Sequence, residues 1–247
     1  MADWRKGLKM GNESTKPGLA LGAFLFAGLV ALGLVLGRAA LKVKALERKV
    51  VVKGLSEREM PADIAIWPIT FQEASNDLNG LFETVQEKNE QIVSFIKGHG
   101  LSPGEITTNP PSVVDLHAQR HVSAQAQYRY TASSTITVYS SSVEAVRKAM
   151  SDVITLGKQG IALAGDEYRN RTRFLFQGLV ELKPGMIEEA TRNARQVAEK
   201  FAEDSESKLG KIKSARQGTF SIRDRDSTTP HLKMVRVVST VEYYLSD

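Results

Sequence analysis

The sequence predicts an α+β fold carried behind a single membrane-spanning helix. Three observations lead to this expectation. Residues 17–37 (PGLALGAFLFAGLVALGLVLG) hold no charged side chain, between Lys16 and Arg38. The polar body that follows switches between stretches of period 2 and stretches of period 3.6. Adjacent strands and single helices alternate in the order ββαββ–αβαββ, which suits helices packed on the faces of mixed sheets.

A helix needs about 20 apolar residues to cross a hydrocarbon core of ~30 Å, and only a helix or closed barrel satisfies its backbone there. The run therefore reads as an uncleaved signal anchor. Residues 1–16 form a cytoplasmic tail and residues 38–49 a juxtamembrane linker of helical composition. A cleaved signal peptide, and with it a secreted chain, is the competing reading. Its apolar region is usually about 7–15 residues long, and Gly37-Arg38-Ala39 is a poor cleavage site. Gly18 and Gly22, and again Gly33 and Gly37, stand at small-xxx-small spacing, a weak signal of helix pairing. Lys and Arg flank the run almost equally, so the positive-inside rule gives no orientation by itself; a long C-terminal body translocates regardless of nearby charge.

In the body, Val50–Val52 begins a strand and residues 63–73 form a second, with Pro68 marking an edge or bulge. Asn76 or Asp77 caps a helix whose apolar positions include Leu78, Leu81, Phe82, Val85, Ile92 and Ile96, with Gly98 as its end cap. Residues 106–116 read as a strand broken by Asn109-Pro110-Pro111, and 125–139 as a long strand. Ser140–Ser142 caps a helix bearing Val143, Val146, Met150, Val153 and Ile154, ended by Gly157. A strand over 168–180 follows, then the longest helix, roughly 184–209. Pro184 sits near that helix's first turn, Met186, Ile187, Ala190, Ala194, Val197, Ala198 and Phe201 form its buried stripe, and Gly210 stops it. Strands over 211–223 and 232–245 close the chain. In the last, Val235, Val237, Val241, Tyr243 and Leu245 face one way and Arg236, Thr240 and Glu242 the other.

The formal charge of +5 conceals an asymmetry. Residues 1–53 hold ten Lys/Arg against three Asp/Glu, and the remainder 23 against 25. The basic charge thus sits where cations meet anionic headgroups, and the body lacks the clustered cations of a nucleic-acid binder. With no cysteine, thiol catalysis, disulfides and cysteine-bound zinc are excluded.

No coherent catalytic, cofactor or metal set emerges, and the chain reads as leaning away from an enzyme. His117 and His121 have the i,i+4 spacing of helical metal ligands but precede a strand, where that spacing separates the rings by more than ~10 Å. No metal and no cofactor are assigned. Arg169, Arg171 and Arg173 alternate on one strand face. They offer an anion site or a subunit seam, against the plainer reading of an edge strand guarded by cations. Glu188 and Arg192 form a surface i,i+4 pair.

The stretches KVVVKGLSEREMPADIAIWPITF, GLVELKPGMIEEATRNARQVAEKFAEDSESKLGKIKSARQGTFSI and VRVVSTVEYYL resemble proteobacterial SIMPL-domain proteins, over nearly the whole body from Val50 to Leu245. The resemblance implies a bacterial envelope protein of undefined activity, linked in some members to oxidative-stress tolerance and in some to ring-like homo-oligomers. It would make residues 50–247 a periplasmic SIMPL-like domain tethered to the inner membrane. The leading expectation is a non-enzymatic homo-oligomer that touches lipid through residues 17–37 and binds no nucleic acid. A periplasmic binding module or enzyme for a small molecule of unknown identity is the alternative. An adaptor for a partner membrane protein is a third.

Overall fold

A computed structural model describes residues 15–45, 48–118, 127–164 and 171–246. Its elements are α1 (Thr15–Ala45), β1 (Lys49–Pro61), β2 (Ile64–Ser75), α2 (Leu78–Gly98), β3 (Ile106–Thr108), β4 (Ser112–Asp115), β5 (Tyr130–Ser140), α3 (Val143–Ser151), α4 (Ile154–Lys158), β6 (Arg173–Leu175), α5 (Leu179–Asp204), β7 (Lys208–Gln217), β8 (Ser221–Asp224) and β9 (Leu232–Ser246). The fold is α+β, as the sequence predicts. One sheet runs β1-β9-β7 with β8 also paired to β9; the other runs β3-β5-β2-β6 with β4 paired to β5. The chain divides into two compact units. One holds residues 1–53, 194–216 and 240–247, the other residues 54–193 and 217–239.

In the larger unit, β2 and β5 pair antiparallel without interruption from Ala65↔Ser140 to Ser75↔Tyr130. Alternate residues Ala65, Trp67, Ile69 and Phe71 of β2 are buried, with Ala132, Ile136 and Val138 of β5. Helices α2 and α3 cover this face through Leu81, Val85, Ile92 and Ile96 and through Val143, Val146 and Ala149. Leu78, Phe82 and Ile154, expected on the apolar faces, stay exposed. Pro68 produces an edge rather than a bulge. It pairs with Thr137 on one side. Its nitrogen points to the other side, where β6 stops opposite Ile66 and Thr70 O already accepts from Ala164 N. No ladder donor is lost.

Helix ends depart from the sequence reading. Residue Gly98 closes α2, but the left-handed residue is Gly100 (φ 83°). Gly157 lies inside α4, and Gly160 (φ 82°) ends it, with Ile161 N–H donating to Leu156 O. Helix α5 stops at Asp204 rather than near 209. Ser207 N–H donates to Ala202 O and Glu206 N–H to Glu203 O, which places Glu206 (φ 52°) where glycine usually stands.

The start of α5 differs more. It begins at Leu179, so Pro184 lies inside the helix and the expected strand over 168–180 shrinks to β6. Residues 165–170 lie outside the described residues. The cause is Asp63, whose carboxylate accepts from Gln177 N–H (2.9 and 2.8 Å) and Gly178 N–H (3.0 Å). It caps the helix from a distant part of the chain. Asp77 performs the same service locally for α2, accepting from Asn79 and Gly80 N–H. On the same unit's side of α5, Met186 and Ala190 pack on Val235 and Val237.

In the smaller unit, Ala194 and Ala198 bring the helix against Val52, Val241 and Tyr243, with Val50 and Leu209 at the margin. The strand that begins at Val50–Val52 runs on to Pro61, with Gly54 and Ser56 in the covered positions that continue the alternation of Val52. The expected strand over 211–223 is two, β7 and β8. Gly210 lies within β7 rather than ending a helix. A Cβ there would stand 2.9 Å from Tyr244 O, closer than a side chain tolerates.

Two stability outcomes follow from the caps. Asp63→Ala lowers stability by about 1–2 kcal/mol in urea unfolding, because two N–H groups at the start of α5 lose their acceptor. Glu206→Gly raises it by about 1 kcal/mol, since glycine adopts positive φ without the Cβ penalty.

Candidate functional site

The most conspicuous functional feature is α1. Leu21–Lys42 has a mean hydropathy of 2.1 and none of it is buried. It has the length and composition of a single-pass anchor or a signal sequence. A Cβ added at Gly22, Gly33 or Gly37 would meet no atom within 4 Å, so these small faces are open. Helix α1 continues past the apolar run to Ala45.

The arginines singled out by alternation separate. Arg173 is exposed on β6, opposite Ile66, and flanks buried Phe174; Arg171 is exposed before the strand. Arg169 lies outside the described residues. Neither Arg171 nor Arg173 forms an ion pair with a described residue. His117 is exposed in the turn after β4, where its N–H donates to Asp115 Oδ1, and His121 lies outside the described residues. Among the described residues no group of three or more His, Cys, Asp or Glu gathers as a metal set. The other two histidines act within the fold. His99 places Nδ1 2.9 Å from Phe95 O and Nε2 3.1 Å from Asp152 Oδ2, tying the end of α2 to the α3–α4 junction. His231 lies against the Phe174 ring, and burial pushes its pKa down.

The best-built polar cluster joins β1 to α5. Glu189 Oε2 accepts from the Ser56 hydroxyl (3.0 Å) and from Arg58 Nη2 (3.1 Å), while Asn193 Nδ2 donates to Leu55 O (2.8 Å). Ser56 is only 1% exposed. Arg58, then Ser56, hold the Glu189 carboxyl below the usual range. A general base works best with a pKa near the operating pH, and this carboxylate is driven away from it. The cluster is a clamp: a charged helix residue fixed by two donors on the strand. Sequence spacing drew attention instead to neighbouring Glu188, whose pair with Arg192 is long (3.9 Å) and exposed. Only knowledge of which helix face meets β1 separates the two glutamates.

Two open hollows flank α2. One, of about 460 Å³, is lined by Gln86, Asn89, Glu90, Val93, Ser94, Lys97 and Thr108; the other, of about 630 Å³, by Gln91, Ser94, Phe95 and Gln159. Both are open, and in the first no hydrogen bond joins the Ser94 or Thr108 hydroxyl to Glu90 or Lys97 among the described residues.

With fold and clusters in place, comparison with known families is decisive. The profile of the SIMPL family, described as a protein of unknown function (DUF541), matches residues 50–240. The chain belongs to this family. The SIMPL region thus begins at β1, just past α1, and includes both sheets and the Glu189 clamp. No curated protein matches the chain.

The clamp has a pH signature. Glu189 is depressed in the folded state, so its contribution is present above the unfolded carboxyl pKa and is lost as pH falls through the folded value. The melting temperatures of wild type and Glu189→Gln will therefore differ most near pH 6–7 and converge as pH falls from about 5 to 3. A constant gap across that range would show that the carboxylate charge is not what holds the helix.

Proposed function

We propose that this SIMPL protein is tethered to the bacterial inner membrane by α1 and works in the periplasm. There its body acts as a non-catalytic homo-oligomer that contributes to tolerance of oxidative stress. The observation that carries the reading is α1: the 22-residue span Leu21–Lys42 is unburied and apolar but for Arg38 and Lys42, and only three positions separate the end of α1 from the first strand of the SIMPL domain. Such a surface supports insertion into a bilayer. The oligomer rests on the family resemblance. It is supported by Val51 and Leu55, exposed apolar residues on one face of β1, and by the open glycine faces of α1. Without cysteine, any protection against oxidants does not proceed through thiols.

A small-molecule-binding role is the second reading, favoured by one observation: Arg171 and Arg173 are exposed cations without ion-pair partners among the described residues. An anion that raises the melting temperature of wild type but not of the Arg171→Ala, Arg173→Ala variant would support it.

The first reading is tested by fusing a reporter enzyme active only outside the cytoplasm after Asp247. Reporter activity that stays in the membrane pellet after alkaline carbonate washing, on a full-length chain, is the expected result. A shortened chain in the soluble fraction would mean a cleaved signal and sink the tether. Light scattering of the detergent-solubilised protein at micromolar concentration is expected to give a defined multimer, and a clean monomer would sink the oligomer.

A further inference from the structure

We infer that the end of the smaller unit nearest α1 rests on the bilayer surface, with Phe201 and Val197 of α5 as its apolar contact. This rests on the reading of α1 as a bilayer-spanning anchor, and it adds a second lipid contact made by the body itself.

Chain reach sets the position of this end. From Ala45 to Lys49 there are four Cα steps, at most about 14 Å. The helical residues after Gly37 rise about 12 Å, against a headgroup layer of about 5–7 Å on each side of the core. The start of β1 is thus held within about 20 Å of the headgroups.

Hydrogen bonds identify what else lies at that end. Arg48 O accepts from Leu245 N–H (2.9 Å), and Arg48 Nη2 donates to Ser207 Oγ (3.1 Å). The last residues of β9 and the turn after α5 therefore lie beside the start of β1. Ser205, in that same turn, donates its N–H and its hydroxyl to Phe201 O. Phe201 is 55% exposed and Val197, one helical turn earlier, 41%. The helical period places both on the buried stripe, but the structure corrects this: the stripe is filled by Ala194, Ala198 and Ala202, and Val197 and Phe201 flank it in the open.

Charge selects the bilayer as the occupant. Residues 38–53 hold six Lys/Arg (Arg38, Lys42, Lys44, Arg48, Lys49, Lys53) against Glu47 alone, a juxtamembrane density that anionic headgroups attract. Segments 194–216 and 240–247 together add no net charge. Exposed apolar side chains beside a cationic segment, on a short tether from a membrane helix, match the composition of an interfacial contact.

The absence of cysteine allows single-site labelling. Full-length Phe201→Cys, Val197→Cys and Leu25→Cys carry a nitroxide and are placed in vesicles of phosphatidylethanolamine and phosphatidylglycerol. Accessibility to oxygen and to a water-soluble nickel reagent reports depth. The expected result is a label deep in the bilayer at 25 and interfacial labels at 201 and 197, with oxygen-to-nickel ratios several-fold above that of free label in buffer. A buffer-like ratio at 201 and 197 with a deep label at 25 overturns the surface contact and leaves the anchor standing. A buffer-like ratio at 25 overturns both. Spin–spin broadening at 201 with exclusion of both reagents assigns the patch to a second copy and overturns the lipid contact.

Discussion

Every other strand of the first sheet is hydrogen-bonded to β9, so the register of that strand fixes the rest. Its covered face carries Val235, Val237, Val241 and Tyr243. A slip by one residue would turn all four to the open face and bring Arg236, Thr240 and Glu242 inward. Two close approaches, one within β7 and one just after it, hold this part of the chain against it. The carbonyl of Tyr244 lies 2.9 Å from where a Cβ of Gly210 would stand, and that of Val238 2.6 Å from a Cβ of Gly218. Glycine at these positions measures the spacing of strands. Read as punctuation in a sequence, Gly210 looks like the end of a helix.

The contrast between β9 and α5 shows what a sequence discloses. The alternation of β9 and the stripe of α2 were legible because burial imposes a period on the chain, and the period survives without the fold. The start of α5 was not legible, since its cap comes from Asp63 after a loop closure spanning more than a hundred residues. The start of β1 at Val50–Val52 was legible from its apolar run, but its length to Pro61 was not, because the covered positions after Val52 hold the small residues Gly54 and Ser56, with Glu189 on Ser56. Of the arginine pattern 169–171–173, Arg171 and Arg173 are exposed, and of these two Arg173 belongs to a strand. Period 2 alone cannot tell a strand from an extended connection.

Electrostatics divides the chain along the same line as its units. The unit containing α1 holds 16 Lys/Arg against nine Asp/Glu, and the other 17 against 19. The excess lies in residues 1–53, on both sides of the apolar run, and screening over about 8 Å keeps its field local to that segment. The basic isoelectric point of this protein therefore belongs to the flanks of the apolar helix and not to the body. The body presents no long-range field that would gather a polyanionic substrate.

Within the larger unit, three well-satisfied polar side chains act on one element, α5. Asp63 caps the start of α5, Glu189 receives Ser56 and Arg58 a few turns later, and Asn193 takes the Leu55 carbonyl beyond that. Each is fully engaged in positioning the helix, and the depressed Glu189 is a poorer base for it. The Asn193 bond also occupies a carbonyl of β1, a strand at the edge of its sheet, which blunts that edge toward foreign strands. A chain that commits its buried polar groups to fixing one helix leaves its surfaces to meet other molecules. Here those surfaces are the apolar helix α1, the exposed side of β1 and the cationic segment between them.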